Sequence, residues 1–224
     1  MPILRLMLAA VALAGIAAAQ DHVTFATDDG GLIYADVYGT GDRGVVLAHG
    51  GQFNKGSWEK QARVLVANGF RVLAFDFRGF GQSRGPGQAD MFTAPMHLDV
   101  LAAVRYLRKS GAKTVAVVGA SFGGGAAADA AIQAQPGEID RVVLLAAWPG
   151  AQPAKFKVPK LLIIARDDAN DDGPRLPRIR ADWEKVPEPK ELIVLPGSAH
   201  AQFLFQTDQG ERVMREILRF LNAR

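Results

Sequence analysis

Thr114-Val115-Ala116-Val117-Val118-Gly119-Ala120-Ser121-Phe122-Gly123-Gly124-Gly125-Ala126-Ala127-Ala128 is the stretch that decides how the rest of this chain is read. Thr114 to Val118 is a short, apolar, β-branched run of the kind that forms a buried strand. The alanines from Ala126 onward are strong helix formers. Between them stands Gly119-Ala120-Ser121-Phe122-Gly123, a G-x-S-x-G pattern. Such a pattern carries chemistry when a strand turns sharply into a helix and leaves the serine hydroxyl at the sheet edge. Glycines on either side let strand and helix approach closely. Ser121 is therefore the candidate nucleophile; its plainer alternative is a helix N-cap in an inert domain. The bare pattern proves little, because Gly81-Gln82-Ser83-Arg84-Gly85 repeats it. Ser83, however, runs into Arg84-Gly85-Pro86-Gly87, a loop that cannot open a helix without a break.

Outward from Ser121 the same alternation recurs. Val45–Ala48, Val72–Phe75, Val115–Val118, Val142–Leu145 and Leu161–Ile164 are continuous apolar runs, with Ile193–Leu195 a shorter sixth. Strands buried on both faces of a parallel sheet read this way. Helical patterns lie between them at 58–67, 96–108, 122–133, roughly 176–183 and 211–221. In the second, Leu98, Leu101, Val104 and Leu107 repeat about every three residues, while Arg105, Arg108 and Lys109 face elsewhere. Buried strand alternating with helix gives an α/β architecture, a mostly parallel central sheet with helices on both faces. Leu32 to Tyr38, flanked by the turn clusters Asp28–Gly31 and Gly39–Asp42, adds a hairpin at the start. Ligand sites in such sheets lie beyond the C-terminal strand ends.

A serine nucleophile needs a base and an acid that orients the base. Of four histidines, His22 lies near the N-terminus, His97 opens an amphipathic helix in a surface or capping position, and His49 ends the first buried strand, where its ring can brace the next loop. His200, in Pro196-Gly197-Ser198-Ala199-His200 after the last strand, is placed to hang over Ser121 and is the expected base. The acid should follow the strand Leu161–Ile164, where Asp167 and Asp168 both qualify, with Asp171 and Asp172 farther out. Asp168, Asn170, Asp172 and Gly173 also match the opening of a calcium loop, but its twelfth position is Ile179 instead of Glu. No metal and no cofactor is expected. Phe122 N–H is one expected oxyanion donor; Gly51 in His49-Gly50-Gly51-Gln52 is the second, with Gln52 as fallback. Phe53, Trp148 and Phe203 lie near these loops and are candidate pocket-lining residues, though each also suits a core.

The N-terminus reads separately. Met1 to Arg5 carries a positive charge, Leu6 to Ala19 is almost wholly apolar, and Ala17-Ala18-Ala19 offers the small residues of a cleavage site, so residues 1–19 are expected to be a secretory signal peptide and 20–224 one domain. The apolar run is shorter than the ~20 residues that span a bilayer. The expected protein is thus exported, periplasmic or secreted, without stable membrane insertion once cleaved; a retained anchor is the alternative. The chain has no cysteine, which excludes disulfides, a thiol nucleophile and thiolate metal ligands. A net charge of +3 with scattered Lys and Arg gives no footprint for nucleic acid.

Together these motifs resemble the α/β-hydrolase superfamily over essentially all of residues 20–224. The likeness rests on His49-Gly50-Gly51, on Asp76-Phe77-Arg78-Gly79-Phe80-Gly81-Gln82-Ser83, which is similar to the family's D-x-R-G-x-G-x-S turn, on the elbow at Ser121, and on Pro196–His200. The resemblance implies that Ser83 belongs to a structural loop. It also favours Asp168 as the acid: the family's G-x-x-D falls on Ala165-Arg166-Asp167-Asp168, with Ala in place of the usual Gly. Many members insert a helical cap after the strand equivalent to 142–145; only Ala146 to Pro159 intervenes here, so no substantial cap is expected. The site should be shallow and open, resembling small serine esterases and dienelactone-hydrolase-like proteins, with a serine where the latter typically carry cysteine. The reaction so implied is hydrolysis of a small-molecule carboxylic ester. A peptidase, amidase or thioesterase on the same three residues is one alternative, and a non-catalytic exported binding protein on the same fold is another.

Overall fold

The computed structural model describes residues 20–223; the expected signal peptide lies outside them. Three strands open the described residues: β1 (Gln20–Ala26), β2 (Leu32–Tyr38) and β3 (Arg43–Ala48). The order then becomes α1 (Glu59–Ala67), β4 (Arg71–Phe75), α2 (Met96–Lys109), β5 (Thr114–Ala120), α3 (Phe122–Gln133), β6 (Arg141–Leu145) and β7 (Lys160–Ala165). A two-stranded hairpin of β8 (Ala169–Asn170) and β9 (Gly173–Pro174) leads into α4 (Arg175–Trp183), followed by β10 (Lys190–Leu195) and α5 (Gly210–Asn222).

The main sheet has eight strands in the order β1-β2-β4-β3-β5-β6-β7-β10. β1 and β2 form the expected hairpin, and β2 pairs antiparallel with β4. From β4 to β10 every pairing is parallel. The core runs along these strands: Val45, Val46, Val72, Leu73, Val117, Val142, Val143, Leu161 and Leu162 have no solvent exposure. Each such side chain contributes about 1.5–3 kcal/mol relative to remaining in water.

The topology fixes where the site must be. From β3 the chain steps outward to β4, then crosses back past β3 to β5. Parallel crossovers are right-handed, so this reversal puts α1 on one face and α2 on the other. Continued steps in one direction keep α3 and α4 with α2, and α5 returns to the face of α1. The reversal at β3 opens a crevice beyond the strand ends, bounded by the loops after β3 and β5.

The acidic stretch after β7 is more ordered than a solvated turn. Asn170 pairs with Gly173 across β8–β9, and Arg178 Nη2 donates to Asn170 Oδ1 at 2.6 Å and to the Gly173 carbonyl at 3.1 Å. Asp168 points instead into the protein interior, so the residues of the calcium-loop pattern do not converge. Leu98, read as a core position of α2, is half-buried, while Asp99 on the same helix is fully buried. The reason is Arg78, described next.

Candidate active site

Ser121 sits between β5 and α3 with φ 50° and ψ −119°, a region that side-chain-bearing residues seldom occupy. Its N–H donates to the Leu145 carbonyl at 2.8 Å, and its carbonyl accepts from Gly124 and Gly125 N–H at 2.9 and 3.1 Å. The flanking glycines are required by contact. A Cβ on Gly119 would lie 2.5 Å from the Gly123 carbonyl oxygen, and one on Gly123 would overlap the His49 carbonyl oxygen. The first turn of α3 therefore rests directly on the ends of β5 and β3, which aims the serine into the crevice.

The structure brings the three expected triad residues together. His200 Nε2 lies 2.7 Å from Ser121 Oγ, and His200 Nδ1 lies 2.7 Å from Asp168 Oδ2. Between the two candidate acids the geometry selects one: Asp168 is fully buried at the end of β7, whereas Asp167 is exposed. Asp168 Oδ1 faces Arg175 Nε at 3.2 Å, an ion pair whose alignment falls short of a hydrogen bond. The chain after the acid is closed by Arg175 N–H donating to the Asp168 carbonyl at 2.8 Å.

The loop after β3 faces the elbow. Gly50 is close enough that a Cβ there would lie 3.5 Å from the Ala120 carbonyl oxygen. The His49 ring is fully buried and accepts from Phe77 N–H through Nε2 at 3.3 Å. The proton therefore resides on Nδ1, which donates to the Gly50 carbonyl at 2.8 Å. Burial holds this imidazole below the usual histidine pKa, in its neutral form. Phe53 N–H donates to the same carbonyl at 3.0 Å. In a trans peptide the N–H points opposite the carbonyl, so these two bonds orient the Gly51 N–H as well. Among the described residues neither Gly51 N–H nor Phe122 N–H has a backbone acceptor.

Ser83, the second serine in a G-x-S-x-G pattern, is fully buried, and its Oγ accepts from Tyr34 N–H at 2.9 Å. Its loop is held by Arg78, also fully buried, which donates from Nε and Nη2 to Asp99 Oδ1 at 2.9 and 2.6 Å. Arg78 also pairs with Asp29 at 2.5 Å, and this hydrogen bond holds the Asp29 carboxyl down to about 2. One guanidinium thus ties the turn after β4 to α2 and to the β1–β2 hairpin.

Around the triad, Phe53 and Phe203 pack with ring centroids 5.0 Å apart, joining the loop after β3 to the segment after His200. Trp148 is half-buried beside Arg178, whose guanidinium lies 5.6 Å from its ring centroid. A cavity of about 200 Å³ opens beside Phe122, lined by Met91, Phe92, Met96, His97 and Asp129 among others. Burial lowers the pKa of His97, which lines this cavity and does not simply cap α2. A cavity of about 440 Å³ between α1 and α5 touches none of the triad residues. Two contributors escaped the sequence reading. Gln202, buried two residues beyond the base, and Arg175, opening α4, carry no motif of their own. Their only signal in the sequence was proximity to His200 and Asp168.

Ser121 on a strained strand–helix turn, His200 and the buried Asp168 thus stand in hydrogen-bonded series at the crevice of a doubly wound sheet. Residues 44–159, just over half of the chain, match the family described as alpha/beta hydrolase fold, and the chain belongs to that family. It is 32% identical over 152 residues to a non-heme chloroperoxidase of Streptomyces lividans, covering 67% of this chain and 49% of that protein. It is 34% identical over 124 residues to a non-heme haloperoxidase of Rhodococcus erythropolis, covering 54% of this chain and 42% of the relative. The chain thus spans about half the length of these curated relatives. Among solved structures, an esterase of Pyrococcus furiosus superposes with a TM-score of 0.74 at 20% identity, covering 91% of this chain and 92% of that one. A dienelactone hydrolase of Anabaena variabilis superposes with a TM-score of 0.70 at 20% identity, covering 91% and 96%. These two likenesses concern the fold.

Proposed function

We propose that the protein is a serine hydrolase that cleaves carboxylic esters through an acyl-enzyme. The observation that carries this reading is the continuous series Ser121 Oγ, His200, Asp168, with both contacts at 2.7 Å. Ser121 Oγ attacks the ester carbonyl carbon while His200 Nε2 takes its proton, and Asp168 steadies the imidazolium. The oxyanion is received by the N–H groups of Gly51 and Phe122. The C–O bond to the alcohol breaks as His200 returns the proton to the leaving oxygen. Water then attacks the acyl group, giving its proton to His200, and the acid departs as Ser121 is regenerated. Phe53, Phe203 and Trp148 would line the two ends of the substrate.

The test is hydrolysis of p-nitrophenyl acetate, butyrate and octanoate by residues 20–224 beside Ser121→Ala. Turnover lost in the variant is the expected result. Folded protein without turnover on any ester would reject the reading and turn attention to amides, thioesters or a binding role. Export is a separate proposal, supported by the apolar run Leu6 to Ala19 with its closing Ala17-Ala18-Ala19: mass analysis of protein recovered outside the cytoplasm should find Gln20 at the N-terminus, and a retained Met1 would reject cleavage after Ala19.

Similarity to chloroperoxidase and haloperoxidase relatives favours a second reading. Hydrogen peroxide meeting the acyl-enzyme in place of water would release a peroxy acid, whose oxygen passes to halide. Bromide oxidation that requires peroxide, a carboxylic acid and Ser121 together would establish it.

A further inference from the structure

We infer that Gln202 is a positioning residue that locks the oxyanion loop to the base loop, an inference that rests on the acyl-transfer reading. The second oxyanion donor is carried by two consecutive glycines, Gly50 and Gly51, whose backbone has no side-chain restraint of its own. A donor useful to a transition state must be held before the charge develops. The restraint has to come from outside the loop.

It comes from both peptide planes that flank Gly50. His49 Nδ1 and Phe53 N–H hold the Gly50 carbonyl, at 2.8 and 3.0 Å. The preceding plane is held by Gln202, whose Oε1 accepts from Gly50 N–H at 2.8 Å. The amide orientation is not ambiguous: Gly50 N–H can only donate, so the oxygen must face it. The opposite end agrees, since Gln202 Nε2 donates to Ser57 Oγ at 2.8 Å while that hydroxyl donates to the Asn54 carbonyl at 2.5 Å. Gln202 is 4% exposed and Gly50 is buried, so no water substitutes readily for the bond between them.

The backbone between base and clamp is itself strained. Ala201, 2% exposed, adopts φ 50°, where alanine is disfavoured. That turn directs the His200 ring toward Ser121 and the Gln202 amide, two residues later, toward Gly50. Base and oxyanion donor are thereby positioned by one short segment, and strain of this kind persists where surrounding contacts enforce it.

The test compares Gln202→Met, which fills the space without the bonds, with Gln202→Glu, which retains an acceptor toward Gly50 N–H. Losing an oxyanion donor outright costs on the order of 10²–10³ in kcat, and a loosened donor is expected to cost about tenfold. In Gln202→Met, kcat for p-nitrophenyl butyrate should fall about tenfold with KM within roughly twofold. The inhibition constant of a trifluoromethyl ketone, which forms a tetrahedral adduct with an oxyanion, should rise by the same factor. Gln202→Glu should recover part of both, limited because its second oxygen has no N–H to offer Ser57 Oγ, which already donates to the Asn54 carbonyl. Ser57 is exposed, so Ser57→Ala provides a second variant whose folding is not at stake; it releases the far end of the amide and should shift kcat and the ketone constant together by about threefold. Unchanged kcat and ketone affinity in folded Gln202→Met, or in Ser57→Ala should the first not fold, would overturn the inference. Absence of Ser121-dependent turnover in the unmodified protein would instead remove the reading beneath it, and the two failures are separable.

Discussion

Ser121 holds a backbone conformation that glycine adopts freely and serine does not. Such strain costs of order 1–3 kcal/mol, and glycine there would return part of it as extra freedom in the unfolded chain. Ser121→Gly should therefore abolish turnover yet raise Tm by about 2–4 °C for each kcal/mol recovered. Ser121→Ala should abolish turnover without that gain, because alanine inherits the strain. Differential scanning calorimetry of the two variants checks it: equal Tm values would place the strain elsewhere. At this scale the triad was legible because each member follows a strand end in a recognisable motif. Choosing Asp168 over Asp167 needed burial, which two adjacent aspartates in one loop do not reveal. Gln202 was illegible for a different reason: its partners, Gly50 and Ser57, are more than 140 positions away in the chain, and nothing local marks an amide as a clamp.

Among the elements, the parallel strands announced themselves as apolar runs because both their faces are covered. The β8–β9 hairpin did not, since two pairs of residues offer no periodicity, and its stability comes from Arg178 reaching back from α4. The buried Asp99 on α2 also defied the helical pattern, for it serves Arg78 on a loop twenty-one residues earlier. Breaking a buried ion pair leaves an uncompensated charge, at a cost of about 3–5 kcal/mol. Asp99→Leu should lower the unfolding free energy by that amount in urea denaturation, and a loss under about 1 kcal/mol would show the guanidinium satisfied by Asp29 alone. Lys160, at the start of β7, presents the opposite case. It has no solvent exposure, its Nζ donates to the Pro187 carbonyl at 2.9 Å, and burial lowers its pKa from 10.5 to about 8. The unfolded chain thus binds more protons than the folded one between about pH 8 and 10.5, so this group adds stability as pH rises through that window and none below it. The gain is on the order of 3 kcal/mol at most. Lys160→Met should remove that rise, which urea denaturation at pH 7.5, 9 and 10.5 would show as a difference between the two proteins that shrinks with pH.

For the whole molecule, β1 is the strand on which the sheet's antiparallel edge depends. It pairs along its full length with β2 from Gln20↔Tyr38 to Ala26↔Leu32, and His22 Nδ1 lies 2.6 Å from the buried Asp36. An uncovered strand edge is a template for pairing with other chains. A protein beginning at Thr27 should accordingly form soluble oligomers or precipitate, and size-exclusion chromatography beside residues 20–224 would decide it; a monodisperse monomer would show that β2 protects its own edge. The same division of labour runs through the molecule. Gly119, Gly123 and Gly124 have no room for a side chain, because strand, helix and the residue Ala147 already occupy that space. Phe53 and Trp148 sit on loops and Phe203 on the short 3-10 helix Ala201–Gln206, each with its other side toward solvent. On the proposed reading, then, mutation meets two kinds of position in this protein: a few where an added side chain would force strand and helix apart, and others facing outward where change would alter which ester is taken while the elbow stands.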